Sequence, residues 1–224
     1  MKTRIITIEG IDGSGKTVQF ERLASRLEEL GYSVARRAFP VYGSYFGKQI
    51  GRFLSGADGV KATDVDQKSM ALWFALDRYM DFKDYRDGDT DFLLINRYVL
   101  SNAVYQSIRD GDIGKPDVVD YVLELEYGVL GLPRPDLNFF FDVETECAKA
   151  NVEKKGFRDY IGSGKDVYEA DRSIQQRASE KYSELAGRFD DTVIIKCTEN
   201  GKMLAIETIS DRVMAVLKER GLIE

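Results

Sequence analysis

Ile5-Ile6-Thr7-Ile8-Glu9-Gly10-Ile11-Asp12-Gly13-Ser14-Gly15-Lys16-Thr17 is the stretch that decides the fold. Its first four residues are β-branched, and residues 3–9 read as a short buried strand. Gly10 to Thr17 then matches G-x-x-x-x-G-K-[ST] at every fixed position. From Lys16 the period changes: Phe20, Leu23, Leu27 and Leu30 fall at helical spacing, and Gly31 stops the run. Strand, glycine loop and helix in that order are the context the pattern requires. Gly10, Gly13 and Gly15 let the backbone curl around Ser14 so that its N–H groups point inward at phosphate oxygens. The positive end of the helix aims at the same place. In such a loop Lys16 reaches the β- and γ-phosphates and Thr17 ligates Mg²⁺.

Outward from this loop, strand and helix signals alternate. Tyr32–Ala38, Asp91–Ile95, Leu137–Val143 and Val193–Ile195 read as further strands. A long helix is expected over 64–86, others near 115–130 and 169–188, and a last amphipathic one through Ile206, Ile209, Val213 and Val216. The expected fold is α/β: a P-loop NTPase-type three-layer arrangement, with a five-stranded parallel sheet covered by helices on both faces. Crossovers are then right-handed, and ligands bind beyond the carboxyl ends of the strands. No repeat, low-complexity run or linker divides residues 1–224, so one domain is expected.

Composition excludes several chemistries. Among 224 residues, 43% are hydrophobic and 31% charged, ordinary usage for a soluble globular chain. There is no histidine, which removes Ser-His-Asp, Cys-His and His-ligated zinc mechanisms. Two cysteines, Cys147 and Cys197, cannot build a disulfide framework, and a reduced cytoplasmic setting is expected. The net charge of −6 argues against a nucleic-acid partner. No apolar run approaches the roughly 18 residues of a membrane span, and no signal-peptide pattern opens the chain. The phosphate loop alone leaves a GTPase, a motor ATPase and a small-molecule kinase open. No Asn-Lys-x-Asp guanine-reading segment is present, and 224 residues are few for a motor subunit.

Four further segments narrow the choice: Ala38-Phe39-Pro40, Trp73-Phe74-Ala75-Leu76-Asp77-Arg78, Asn96-Arg97-Tyr98-Val99-Leu100-Ser101-Asn102-Ala103-Val104-Tyr105-Gln106 and Asp166-Val167-Tyr168-Glu169. With the P-loop, their order and spacing resemble the thymidylate kinases, nucleoside monophosphate kinases that phosphorylate dTMP. The resemblance implies ATP as donor, dTMP as acceptor, Mg²⁺ as cofactor and a homodimer packed through helices. Phe74 and Arg78 are four apart, on one helix face; by resemblance they stack on thymine and bond its O4. Arg97 follows a strand end and suits bidentate contact with a phosphate; in the family it holds the dTMP phosphate. The family usually has Asp before this Arg, in the metal-assisting position, where this chain has Asn96.

By the same resemblance Asn102 reads the base edge and Tyr105 packs under the sugar, crowding out a 2′-hydroxyl. Phe39 and Tyr42 are expected as pocket walls, and Tyr168 lines the nucleoside pocket. Val41 stands where several relatives carry Arg. Asp12 is an acid beside a triphosphate, a costly placement unless it bonds a hydroxyl or a metal-bound water. The family reading gives it the dTMP 3′-hydroxyl or a Mg²⁺ water; Glu169 is a second candidate for water-mediated metal contact.

Residues 152–168 are expected to form a lid, basic and glycine-rich between Lys154 and Lys165. No basic residue precedes Lys16 in the P-loop, so a transition-state cation would have to come from this lid. Arg158 is the first candidate, before Lys165, Lys154 and Lys155. Two rival readings stay open at this stage. One is a deoxynucleoside kinase, whose neutral hydroxyl acceptor needs a carboxylate base. The other is a nucleotide-binding regulator with weakened catalysis, for which Asn96 speaks.

Overall fold

The computed structural model of the chain describes residues 2–109, 116–154, 168 and 172–224. Strands β1 (Arg4–Glu9), β2 (Val34–Ala38), β3 (Phe92–Asn96), β4 (Leu137–Asp142) and β5 (Thr192–Lys196) form one parallel sheet in the order β2-β3-β1-β4-β5. Every residue of β1 from Ile5 to Glu9 is buried. Successive side chains of a strand point to opposite faces, so both faces of the sheet are covered. Helices α1 (Lys16–Glu29), α2 (Tyr45–Ser55), α3 (Gln67–Asp81), α4 (Val99–Ile108), α5 (Val119–Leu123), α6 (Thr145–Lys154), α7 (Arg172–Arg188) and α8 (Ile206–Glu219) surround it. α1 packs on α8, while α4 packs on α3, α5 and α7.

The register positions the site. Ile8 of β1 pairs with Asn96 of β3, and Ala38 of β2 pairs with the same Asn96. Three strand ends therefore stop level with one another. The P-loop, Phe39-Pro40 and Arg97 leave the sheet side by side. Phe39 N–H donates to the Asn96 carbonyl at 3.1 Å, and Arg97 N–H to the Ile8 carbonyl at 3.1 Å.

Several sequence expectations need correction. The helix expected over 64–86 starts later and ends earlier. Asp66 is extended and caps α3, accepting from Lys68 N–H at 2.9 Å and Ser69 N–H at 3.2 Å. At the other end Phe82–Asp84 tightens into a 3₁₀ turn. The helix expected near 115–130 is five α residues followed by a π-helical segment, Glu124–Val129. Helices α2 and α6 and a small antiparallel hairpin of β6 (Thr198–Glu199) and β7 (Lys202–Met203) had no counterpart in the sequence reading. α6 extends to Lys154, so residues 152–154 belong to a helix rather than to the expected lid. Residues 155–167, including Lys155, Arg158 and Lys165, lie outside the described residues, as do Glu169 and the side chain of Lys154.

At the opposite end of the strands, Asp91 clasps the entry to β2. Its carboxylate accepts from the Ser33 backbone N–H at 2.8 Å and the Ser33 hydroxyl at 2.7 Å. These bonds hold the Asp91 carboxyl below its ordinary value. A depressed carboxyl contributes stability above the unfolded pKa, and that stability is lost as pH falls through the folded one. Asp91→Asn is therefore expected to lower Tm at pH 7. The gap to the parent protein should close once both are melted below about pH 3, beneath the unperturbed Asp range. An undiminished gap at that pH would count against the clasp.

Candidate active site

A cavity of about 310 Å³ opens where β1, β2 and β3 end. Asp12 to Thr17 form one wall of it. Phe39 and Tyr42 form a second, Phe74 and Arg78 of α3 a third, and Arg97, Asn102 and Tyr105 a fourth, with Tyr168 at the margin. Every described residue expected at the site lines this one space except Gly10, which lies at the root of the loop.

The P-loop conformation depends on close approach. Gly13 has φ +83°, and a Cβ there would stand 2.0 Å from the Ala148 carbonyl oxygen of α6. Only glycine fits both conditions. Asn151 Nδ2 donates to the Gly13 carbonyl at 3.0 Å, tying α6 to the loop. Lys16 is buried, and its Nζ donates to the Gly10 and Ile11 carbonyls at 2.9 and 2.6 Å. Its ammonium is thus already held inside the curl of the loop. Thr17 is exposed and lines the cavity.

Glu9 fixes the neighbouring turn. Fully buried, it accepts the Tyr98 N–H at 2.7 Å and the Tyr182 hydroxyl of α7 at 3.2 Å. Burial pushes its carboxyl up, against the pull of the Tyr98 N–H and Arg97. The bond to Tyr98 accompanies a left-handed backbone at Arg97, φ +63°, uncommon for a non-glycine residue. That conformation turns Arg97 from the strand end into the cavity. Arg97 forms an ion pair with Asp12, donates to Ser101 Oγ at 3.2 Å and lies over the Tyr105 ring at 5.6 Å. Burial alone would lower its pKa; Asp12, together with Tyr105 and Tyr182, more than reverses that, and the guanidinium stays charged.

Gln175 of α7 links three parts of the site. Its Oε1 accepts the Asp12 N–H at 3.0 Å, and its Nε2 donates to Asp12 Oδ2 at 3.3 Å and to the Tyr168 carbonyl at 3.0 Å. Tyr105 O–H also reaches Gln175 Oε1, at 3.4 Å, and the rings of Tyr105 and Tyr168 stack at 5.6 Å.

On the α3 side, Arg78 is not a solvated helix residue. It is 2% exposed, and its Nε and Nη2 donate to the two Glu126 oxygens at 2.5 and 2.6 Å. Asn102 Nδ2 donates to Glu126 Oε1 at 2.8 Å and to the Ala71 carbonyl at 3.0 Å, and Asn102 Oδ1 has no partner. Gln106, fully buried beside it, has Nε2 unpartnered, while its Oε1 accepts from Arg109 at 3.5 Å. Both residues line the cavity. Buried polar atoms without a protein partner are rare, and at a cavity wall a ligand or an ordered water can supply the partner. Gln106, Gln175 and Glu126 went unread in the sequence. The available signal was polar character on helix faces otherwise occupied by core residues.

Asn96 Oδ1, at the same cavity, is also a buried acceptor without a hydrogen-bond partner. With the Thr17 hydroxyl it offers hard oxygen donors of the kind Mg²⁺ takes. The residues present therefore fit that ion even with Asn in place of Asp. Among the described residues there is no cluster of three or more His, Cys, Asp or Glu side chains that would hold a metal by itself.

A family profile described as thymidylate kinase matches residues 8–209. A thymidylate kinase of Mycobacterium tuberculosis is 35% identical over 187 residues, 82% of this chain and 86% of its own. A probable thymidylate kinase of Methanocaldococcus jannaschii is 29% identical over 217 residues, 95% of each chain. The solved structure of thymidylate kinase from Candida albicans superposes with a TM-score of 0.76 at 20% identity, covering 100% of this chain and 94% of that one.

Removing the Lys16 ammonium tests the loop directly. Lys16→Ala should leave the fold intact and lower kcat by about 10²–10³, as loss of one preorganised cationic donor does. Nucleotide affinity, measured by calorimetry, should fall with it. Unchanged affinity and turnover would sink the assignment.

Proposed function

The chain belongs to the thymidylate kinase family, and from that premise we propose how its cavity moves the γ-phosphoryl group of ATP onto dTMP. The observation that carries the reading is one cavity holding a complete P-loop, a second phosphate-sized cation at Arg97 and orphaned amide groups beside an aromatic wall. The acceptor is a phosphate oxygen. A phosphate monoester has a second pKa of about 6, so it is largely anionic at pH 7 and needs no general base. This accords with a chain lacking histidine. The difficulty is electrostatic: two unit charges about 4 Å apart at an effective dielectric of 20 repel by about 4 kcal/mol. Catalysis is then alignment and neutralisation with water excluded.

Arg97 takes the dTMP phosphate, and Lys16 with the loop N–H groups of Gly13, Ser14 and Gly15 takes the ATP phosphates. Asp12, released from Arg97 by that phosphate, receives the sugar 3′-hydroxyl. Thr17 and Asn96, with Asp12 through water, would hold Mg²⁺, which supplies charge neutralisation at the β- and γ-phosphates when bound. Phe74 stacks on the base. Arg78, Asn102 Oδ1 and Gln106 Nε2 offer donor, acceptor and donor, complementary to the O4, N3–H and O2 edge of thymine. Tyr105 and Tyr168 enclose the sugar. Arg158 is the proposed lid cation, and Glu169 a further metal-side carboxylate. For Arg158→Ala we expect kcat to fall by up to about 10³–10⁵ with little change in KM; an effect on KM alone would place its role elsewhere.

A homodimer is proposed from the family. It is supported by Tyr45 of α2 and by Leu72, Tyr79 and Met80 of α3, which are exposed on helices that pack together. No described helix is long and apolar enough to cross a membrane. The test is a panel of nucleoside monophosphates, with thymidine alongside, assayed with MgATP and coupled ADP detection. Turnover should be highest with dTMP, from protein that sediments as a dimer. Turnover of thymidine but not dTMP would indicate a deoxynucleoside kinase. Background activity throughout would indicate a regulator.

A further inference from the structure

Glu126 does not itself line the cavity, yet two of the side chains that do depend on this one carboxylate. It comes from the π-helical segment after α5, far in sequence from both partners. Val119, Val122 and Glu126 fall three and seven residues apart on one buried face, so the acid occupies a core slot. A fully buried carboxylate is costly unless well paired. Here it accepts three hydrogen bonds, two from Arg78 and one from Asn102. π-Helical turns recur at functional sites because they redirect a side chain without ending the helix.

The consequence lies in polarity. An amide side chain can present either its oxygen or its nitrogen to a ligand. Asn102 cannot choose: Glu126 and the Ala71 carbonyl are both acceptors, and together they bind Nδ2. Oδ1 is therefore the atom left unpartnered at the cavity. The same carboxylate engages Nε and Nη2 of Arg78 and fixes the plane of the guanidinium. We propose that Glu126 is a positioning and specificity-determining residue, which sets the hydrogen-bond polarity of the pocket floor so that it accepts base edges carrying N3–H and a 4-carbonyl and rejects those carrying an unprotonated N3 and a 4-amino group.

This rests on the reading of the cavity as the dTMP site. Thymine and uracil satisfy the fixed pattern. Cytosine would bring its N3 lone pair against Asn102 Oδ1 and its 4-amino group against Arg78. Neutralising Glu126 as glutamine keeps the volume but puts an N–H₂ where one acceptor stood. The order imposed on Arg78 and Asn102 is then lost.

The experiment compares the parent protein with Glu126→Gln and Glu126→Asp, using dTMP and dCMP as acceptors with saturating MgATP. For Glu126→Gln, KM for dTMP should rise roughly 10- to 100-fold, the cost of leaving one or two buried polar groups mispaired. KM for ATP should hold, and the dTMP-to-dCMP ratio of kcat/KM should collapse by a similar factor. Glu126→Asp keeps the buried charge for Arg78 but is one methylene short of serving both partners. It should show an intermediate loss, with discrimination partly retained. A structural defect alone would lower kcat for both acceptors together and leave their ratio unchanged. Parent-like dTMP KM and parent-like discrimination in the folded variants would overturn the proposal. If Glu126→Gln does not fold, the same result in Glu126→Asp decides against it. Failure of the parent protein to use dTMP at all would instead overturn the reading of the cavity.

Discussion

The buried carboxylate of Glu9 is the constraint on which the site depends. It closes the last turn of β1 against the N–H of Tyr98 and against a hydroxyl from α7. The P-loop begins at the next residue, and Arg97 immediately precedes Tyr98. One side chain thus sets the separation between the groups that would hold two phosphates. The parallel pairing of Ile8 with Asn96 brings the strand ends level, and Glu9 determines how the chain leaves them. The left-handed backbone at Arg97 persists because the surroundings over-determine it.

What could be read in advance followed the range of the interactions. The P-loop is local: strand, curl and helix lie within about thirty residues, and its glycine spacing has few other uses. Four of the five strands were legible as short apolar runs, β2 with its two arginines being the exception, and the observed limits of all five differ from expectation by one or two residues. Arg97 was legible in part from its place after a strand end, whereas Asn102 and Tyr105 were legible only as a pattern shared with other chains, since nothing in their spacing states a role. Glu126 was illegible, because a carboxylate on an otherwise apolar helix face states no partner until Arg78 and Asn102 are brought against it. Gln175 and Gln106 are unremarkable as residue types, and their role appears only when α7 and α4 meet over the P-loop. The overlong reading of α3 missed Asp66 as a cap. For α2, Ser44 accepting from Gly47 N–H and Gly56 in left-handed conformation were start and stop signals present in the sequence.

The two sides of the cavity are built differently. The P-loop side rests on backbone: loop N–H groups, a strand-end turn and a glycine that admits no Cβ. The side formed by α3 and α4 rests on side chains held by other side chains, Arg78 and Asn102 by Glu126 and Gln106 by Arg109. Backbone cradles accept any polyphosphate of the right shape. Side-chain networks can distinguish one heterocycle from another, because a mispaired buried donor or acceptor forfeits its full desolvation cost.

The pairing of Asp12 with Arg97 sets opposite charges against each other at the cavity wall beyond the P-loop. On the proposed reading, a small free anion such as inorganic phosphate engages Arg97 only at the expense of its pairing with Asp12. A ligand carrying both a phosphate and a hydroxyl at the right distance satisfies both residues at once. On the proposed reading, the ion pair favours a molecule that presents a phosphate and a hydroxyl together on one rigid sugar.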